Sequence, residues 1–126
     1  MELASFADRP ASALTLAGRK RLELAKSMAM RPKVLMLDEV NAGLNASEID
    51  GALRLIREIS ERGVTILVIE HLMKVVMSLA QRVLVLHHGE LIAEGSAQEI
   101  VKNHRVIEAY LGEKFARRVV AENAGG

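Results

Sequence analysis

The chain has 126 residues, with seventeen Lys and Arg against sixteen Asp and Glu for a formal charge of +1, a balance that offers no broad basic face and no expectation of nucleic-acid binding. It has no cysteine, which excludes disulfides and thiolate metal sites, and only Phe6, Tyr110 and Phe115 are aromatic, so its core must be aliphatic. No apolar run approaches the roughly 18 residues of a membrane-spanning helix, and a membrane role is therefore expected to run through a partner.

The first seven residues read as the end of a helix, broken by Asp8-Arg9-Pro10, and they lack the long apolar stretch of a secretion signal. From Gly18 to Met30, Leu22, Leu24, Ala25, Met28 and Ala29 form an apolar face among Arg19, Lys20, Arg21, Glu23 and Lys26. That pattern predicts a helix stopped by Pro32. Val34 to Leu37 is an unbroken apolar run that ends in Asp38-Glu39, as in a strand buried on both faces of a parallel sheet. A loop from Val40 to Ala46 follows. Ser47 and Asp50 have capping-box spacing, and Ile49, Ala52, Leu53, Ile56 and Ile59 share one helical face as far as Gly63, which suits a left-handed helix stop.

Val64 to Ile69 is a second apolar strand, ending in Glu70-His71, and His71 to Ala80 reads as a helix with Leu72, Val75, Val76 and Leu79 inward. Arg82–Leu86 and Leu91–Ala93, on either side of His87-His88-Gly89-Glu90, predict a hairpin. Ser96 and Glu99 repeat the capping-box spacing, and Arg105–Leu111 reads as a short helix ended by Gly112. The expected organisation is one domain-like stretch over residues 1–112 and a fraying tail over 113–126. Alternating strands and helices predict an α/β fold with a parallel sheet, followed by an antiparallel strand pair and short helices.

In parallel sheets function gathers at the carboxyl ends of the strands, where Asp38, Glu39, Glu70 and His71 all fall. Magnesium prefers oxygen ligands and retains waters, so a single carboxylate such as Asp38 suits a metal shared with nucleotide phosphates. Glu39, the next residue, must point elsewhere and is placed to orient or deprotonate a water. The plainer reading is two acids capping the following loop. His71 follows the second strand as Asp38 follows the first, and a neutral imidazole there can bond a phosphate or water. His87, His88 and His104 read as exposed turn or loop residues, because no further ligands accompany them at metal-site spacing. Leu14-Thr15-Leu16-Ala17-Gly18 precedes the basic helix, and small residues at a helix start admit an anion. The plainer alternative there is a solvated charged face.

Together these segments resemble the nucleotide-binding domain of ABC transporters over roughly residues 8 to 112. LTLAG, continuing RKRLELAKSM, stands where that family has its LSGGQ signature and helix. VLMLDE resembles the Walker B strand, Ala42-Gly43-Leu44-Asn45 the D-loop, Ile69-Glu70-His71 the switch-histidine segment, and RVLVLHHGELIAEGSAQEI the closing strands and helix. ADRPASAL, RLELAKSMAMRPKVLMLDE, AGLN, IEHLMKVVMSLAQRV and VIEAYLG resemble the importers of branched-chain amino acids.

The resemblance implies a P-loop NTPase-type fold and an ATPase that binds ATP and Mg2+ at the cytoplasmic face of the plasma membrane. There it forms a head-to-tail dimer with a second ATPase subunit and moves transmembrane permease subunits. Asp38 then holds magnesium, Glu39 polarises water and His71 contacts the γ-phosphate. Thr15, Ala17 and Gly18 face the partner's nucleotide, and Asn45 links the two sites. The alternative reading is a non-catalytic interaction module that lends its signature helix or its C-terminal segment to an intact ATPase, or pairs with a separate N-terminal half, discriminated by nucleotide binding.

The chain departs from the family pattern in several places. Leu16 and Ala17 stand where the signature has two glycines, and Gly18 where it has glutamine. Val40 replaces the proline after DE, Asn45 the D-loop aspartate, and Gln81 the aspartate before Arg82. No G-x-x-x-x-G-K-[ST] phosphate loop occurs in the 126 residues. The expectation is a C-terminal half of the domain, with the strand slot between Val64–Ile69 and Arg82–Leu86 open. Such a chain should be unstable, self-associate, or pair with a separately encoded half that carries the loop.

Overall fold

The computed structural model describes residues 2–111, and the chain divides into two compact units, Met1–Glu70 and His71–Gly126. The expected tail over 113–126 and the Gly112 stop lie outside the described residues.

In the first unit, two short 3₁₀ turns, Ala4–Phe6 and Ala11–Ala13, lead to helix α1, Leu16–Ala29. The helix starts earlier than Gly18 because Thr15 caps it, its hydroxyl accepting from the Gly18 N–H. Strand β1, Val34–Asp38, and strand β2, Thr65–Ile69, pair in parallel from Val34 opposite Thr65 to Asp38 opposite Ile69. Between them runs helix α2, Ala46–Glu61, as a parallel crossover requires.

Leu53, Ile56 and Ile59 of α2 and Leu35 and Leu37 of β1 are the buried hydrophobic residues of this unit. Each such side chain contributes about 1.5–3 kcal/mol on burial, so the apolar stripe rather than the helix ends fixes where α2 lies. Gly63, with φ +94°, turns the chain out of α2 into β2.

Two expectations change here. The strands are not buried on both faces: Leu35 and Leu37 are covered, but Val34, Met36, Leu67 and Ile69, on the opposite face, are 45–68% exposed. Among the described residues this sheet has only the two strands, so an unbroken apolar run marks a face left open rather than a second covering layer. The capping box is also not Ser47 with Asp50. Asn45 accepts from the Glu48 N–H, and the Glu48 carboxylate accepts from the Asn45 N–H, both at 2.9 Å. Asn is as good a cap as Ser, and the turn at Gly43 (φ +79°) delivers the chain to the helix two residues earlier.

The second unit holds helix α3, Met73–Leu79, the strand pair β3, Val83–His87, and β4, Glu90–Gly95, then helices α4, Ala97–Ile100, and α5, His104–Val106, with a π-helical turn at Ile107–Leu111. The expected hairpin forms with a two-residue turn, in which His88 (φ 49°) and Gly89 (φ 78°) take the left-handed backbone of a type I′ turn. Ser96 caps α4, its hydroxyl accepting from the Glu99 N–H, and Asn103 caps α5.

Val75, Ala97, Ile100, Val101 and Val106 form the core of this unit. Helix α3 is shorter than expected, leaving His71, Leu72 and Ala80 outside it, with Leu72 at the N-cap position making no side-chain cap bond. The helix expected over 105–111 begins at His104 and widens into the π-helical turn. His87 is half-buried in β3 rather than exposed in the turn, and its ring lies 5.7 Å from that of Tyr110, edge on.

The capping assignment is testable. Replacing Asn45 with Ala should lower unfolding stability by about 1 kcal/mol, within the ~0.5–2 range for lost caps. Ser47→Ala should change it by less than about 0.5 kcal/mol. Equal losses in urea unfolding would contradict the observed box.

Candidate functional site

The parallel register carries both strands to one edge in step, and the acids expected there are present. Asp38 ends β1 and is exposed. Glu39 continues the ladder for one more bond, its N–H donating to the Ile69 carbonyl at 2.9 Å. It then turns sharply, with φ at 46°, in the left-handed region that a side chain with a Cβ seldom adopts. Holding a non-glycine residue there costs on the order of 1–3 kcal/mol, and such strain concentrates at functional positions. The turn takes Glu39 out of strand alternation, so the two neighbouring carboxylates leave the sheet edge from different backbone conformations.

The loop behind Glu39 is tied down from two sides. From α1, the Lys20 ammonium donates to the Val40 carbonyl at 2.8 Å. From the end of β2, the Glu70 carboxylate accepts from the Asn41 side-chain amide at 3.0 Å. Asn41 is only 1% exposed, and its Oδ1 finds no partner among the described residues. A buried polar atom left unpaired costs roughly 1–3 kcal/mol. Within the loop, the Ala42 N–H donates to the Glu39 carbonyl and the Leu44 N–H to the Asn41 carbonyl. A Cβ on Gly43 would stand 2.9 Å from the Leu16 side chain, so the loop passes close to the start of α1.

A pocket of about 380 Å³ opens between α1, the end of β1 and α2. Ala17 and Lys20 line it from one side, Asp38 and Glu39 from another, and Leu44 and Ile56 from its apolar side. Thus Ala17 shares a cavity with the two acids. Thr15 and Gly18 are engaged with each other at the helix cap, and Asn45 is engaged in the capping box of α2. His71 is the first residue of the second unit and is exposed.

Lys20 and Asn41 were not among the residues the sequence singled out. Lys20 is one of three consecutive cations, and nothing in the pattern separates it from Arg19 and Arg21. Asn41 carried a weak signal: a polar residue two places beyond Glu39, in the loop behind an apolar strand, has to be either solvated or buried with a partner.

Among the described residues no group of three carboxylate or imidazole side chains converges as a ready-made metal site. The donor set nonetheless fits a magnesium ion carried in with a nucleotide. Such an ion takes one or two protein carboxylates and fills its remaining positions with phosphate oxygens and water. Asp38, rigid at the strand end and exposed, is of that kind.

Three comparisons bear on this arrangement. Residues 90–116 match the family model described as "Branched-chain amino acid ATP-binding cassette transporter". The chain is 46% identical over 114 residues to the high-affinity branched-chain amino acid transport ATP-binding protein BraF of Pseudomonas aeruginosa, covering 90% of this chain and 45% of that protein. It is 45% identical over 112 residues to the corresponding protein LivG of Salmonella typhimurium, covering 88% of this chain and 44% of that protein.

The fold matches the ADP conformation of MJ1267, an ATP-binding cassette of an ABC transporter, with a TM-score of 0.80 and 28% identity over 88% of this chain and 45% of that one. The chain therefore spans about half the length of the relatives it matches. Over that shared stretch it is similar to the ATP-binding cassettes of ABC transporters, and among them to those of the branched-chain amino acid group.

Proposed function

We propose that this chain contributes the metal- and water-handling half of an ATP-hydrolysing domain in an ABC importer, with branched-chain amino acids as the transported class. The observation that carries the reading is the shared edge of β1 and β2, where Asp38 ends one strand with Glu39 next to it, and Glu70 follows the other. The likeness to BraF and LivG supports the solute class. No helix among the described residues is long and apolar enough to cross a membrane. The likeness to BraF and LivG is what supports action at the cytoplasmic face, through transmembrane permease subunits.

Bound MgATP supplies the electrophilic γ-phosphorus and neutralises charge on the phosphates. The chain's own residues do the rest. Asp38 offers a carboxylate oxygen to the metal. Glu39 aligns a water and draws its proton toward the carboxylate as attack begins, a role worth typically 10²–10⁴-fold. His71 donates a hydrogen bond to the terminal phosphate. Thr15, Ala17 and Gly18, at the start of α1, face the nucleotide of a second ATPase subunit across a head-to-tail dimer, and Asn45 links the two sites. The phosphate loop comes from chain outside these 126 residues, in the same polypeptide or a separate one.

A second reading has one observation in its favour. The open apolar face of Val34, Met36, Leu67 and Ile69 suits a module that binds an intact ATPase without hydrolysing ATP. The discriminating experiment measures MgATP hydrolysis by the chain alone, then with a separately supplied polypeptide spanning the part of BraF that the chain does not match. Restored hydrolysis, lost by about 10²-fold or more in Glu39→Gln, is the expected result. Stable binding to an intact ATPase with no nucleotide binding in either mixture would replace the enzyme reading with the module.

A further inference from the structure

We propose that Asn41 is a positioning residue for the hydrolytic site: its buried amide ties the loop behind Glu39 to Glu70. The inference rests on the reading of function given above. Asn41 lies two residues beyond Glu39 and is 1% exposed, and Glu70 lies one residue beyond the last ladder residue of β2, just before His71. Their 3.0 Å contact is a side-chain bond joining the two segments that follow the paired strands.

The choice of side chain is specific. The partner is a carboxylate, so only a donor can bind it, and an amide donates without bringing charge into a buried position. Reversing the amide would turn Oδ1 toward the Glu70 oxygens, acceptor against acceptor, so the observed orientation is the one the chemistry permits. An aliphatic residue would leave Glu70 without its partner, and Asp would set two carboxylates against each other. Burial strengthens the bond, because the surroundings screen it less than water would.

The contact bears on the strained residue two places earlier, Glu39. Glu39 keeps its left-handed backbone only if the chain on either side over-determines it. On one side stands the ladder bond to Ile69. On the other stand the Lys20 bond to Val40 and the Asn41 bond to Glu70, and of these only the second reaches the segment that leads to His71. Loss of the Asn41 contact should therefore disturb the placement of the Glu39 carboxylate while leaving nucleotide binding, which depends on other groups, largely intact.

The test compares wild type, Asn41→Asp, Glu70→Gln and the paired change in the mixture of this chain with the phosphate-loop polypeptide. The paired change reverses donor and acceptor across the same gap. Asn41→Asp should lower kcat by about tenfold or more with KM for MgATP within about twofold, the signature of a lost transition-state contribution. The paired change should return kcat to within about threefold of wild type, and unfolding midpoints of the four chains should be non-additive, since the residues touch.

A hydrolysing wild type whose single variants stay within about twofold in kcat, or whose paired change is no better than the singles, overturns the inference and leaves the functional reading standing. Additive unfolding midpoints overturn it as well. If the single variants fail to fold, the paired change decides: recovery of folding and of kcat supports the inference, and failure to recover overturns it. A wild-type mixture that does not hydrolyse ATP overturns the functional reading, and the inference falls with it.

Discussion

The parallel pairing of Val34–Asp38 with Thr65–Ile69 is the constraint on which the candidate site depends. Five residues of each strand run in step, so the last acid of one strand stands opposite the last apolar residue of the other. A one-residue slip would reverse which side chains face the helix and which face outward. It would put Val34, Met36 and Asp38 where Leu35 and Leu37 now lie, taking a carboxylate into the apolar layer. The burial of Leu35 and Leu37 against the unit that holds Leu53, Ile56 and Ile59 therefore fixes both the core and the position of Asp38.

Beyond the strands, control passes from apolar burial to a few directed polar contacts. The loop from Glu39 to Leu44 holds one left-handed glutamate and one left-handed glycine within five residues. Backbone of that kind stays put only when it is held from outside, and the holds here include the Ile69 carbonyl, the Lys20 ammonium and the Glu70 carboxylate. Stability and function meet at this point. The contacts that keep the loop folded are the same ones that place a carboxylate beside the end of the sheet, so the strain at Glu39 and the burial of Asn41 belong to one arrangement.

The sequence made the two apolar strands, the acids behind them, the His88-Gly89 hairpin and the Gly63 stop legible, because each rests on local pattern or local backbone chemistry. It misjudged what depends on distant chain. Met36 and Ile69 look like core residues by composition, yet nothing among the described residues covers them. Ser47 and Asp50 have the right spacing for a cap, but spacing does not say where the preceding turn releases the chain, and Asn45 reaches that place first. Asn41 carried only a weak signal, because its partner is Glu70, 29 residues away in sequence. The likeness to BraF, LivG and MJ1267 extends over most of this chain, while the roles proposed for Asp38 and Glu39 rest on geometry and chemistry.

In the function proposed above, these neighbouring carboxylates divide the work, Asp38 holding the metal and Glu39 the water. The most direct measurement replaces magnesium with Mn2+ and follows ATP-dependent metal binding by electron paramagnetic resonance, in the mixture of this chain with the phosphate-loop polypeptide. Asp38→Asn should weaken Mn2+ binding by roughly 10-fold or more, whereas Glu39→Gln should bind the metal as wild type does and fail only in hydrolysis. Equal metal affinity in wild type and Asp38→Asn, or a loss of metal confined to Glu39→Gln, would contradict it.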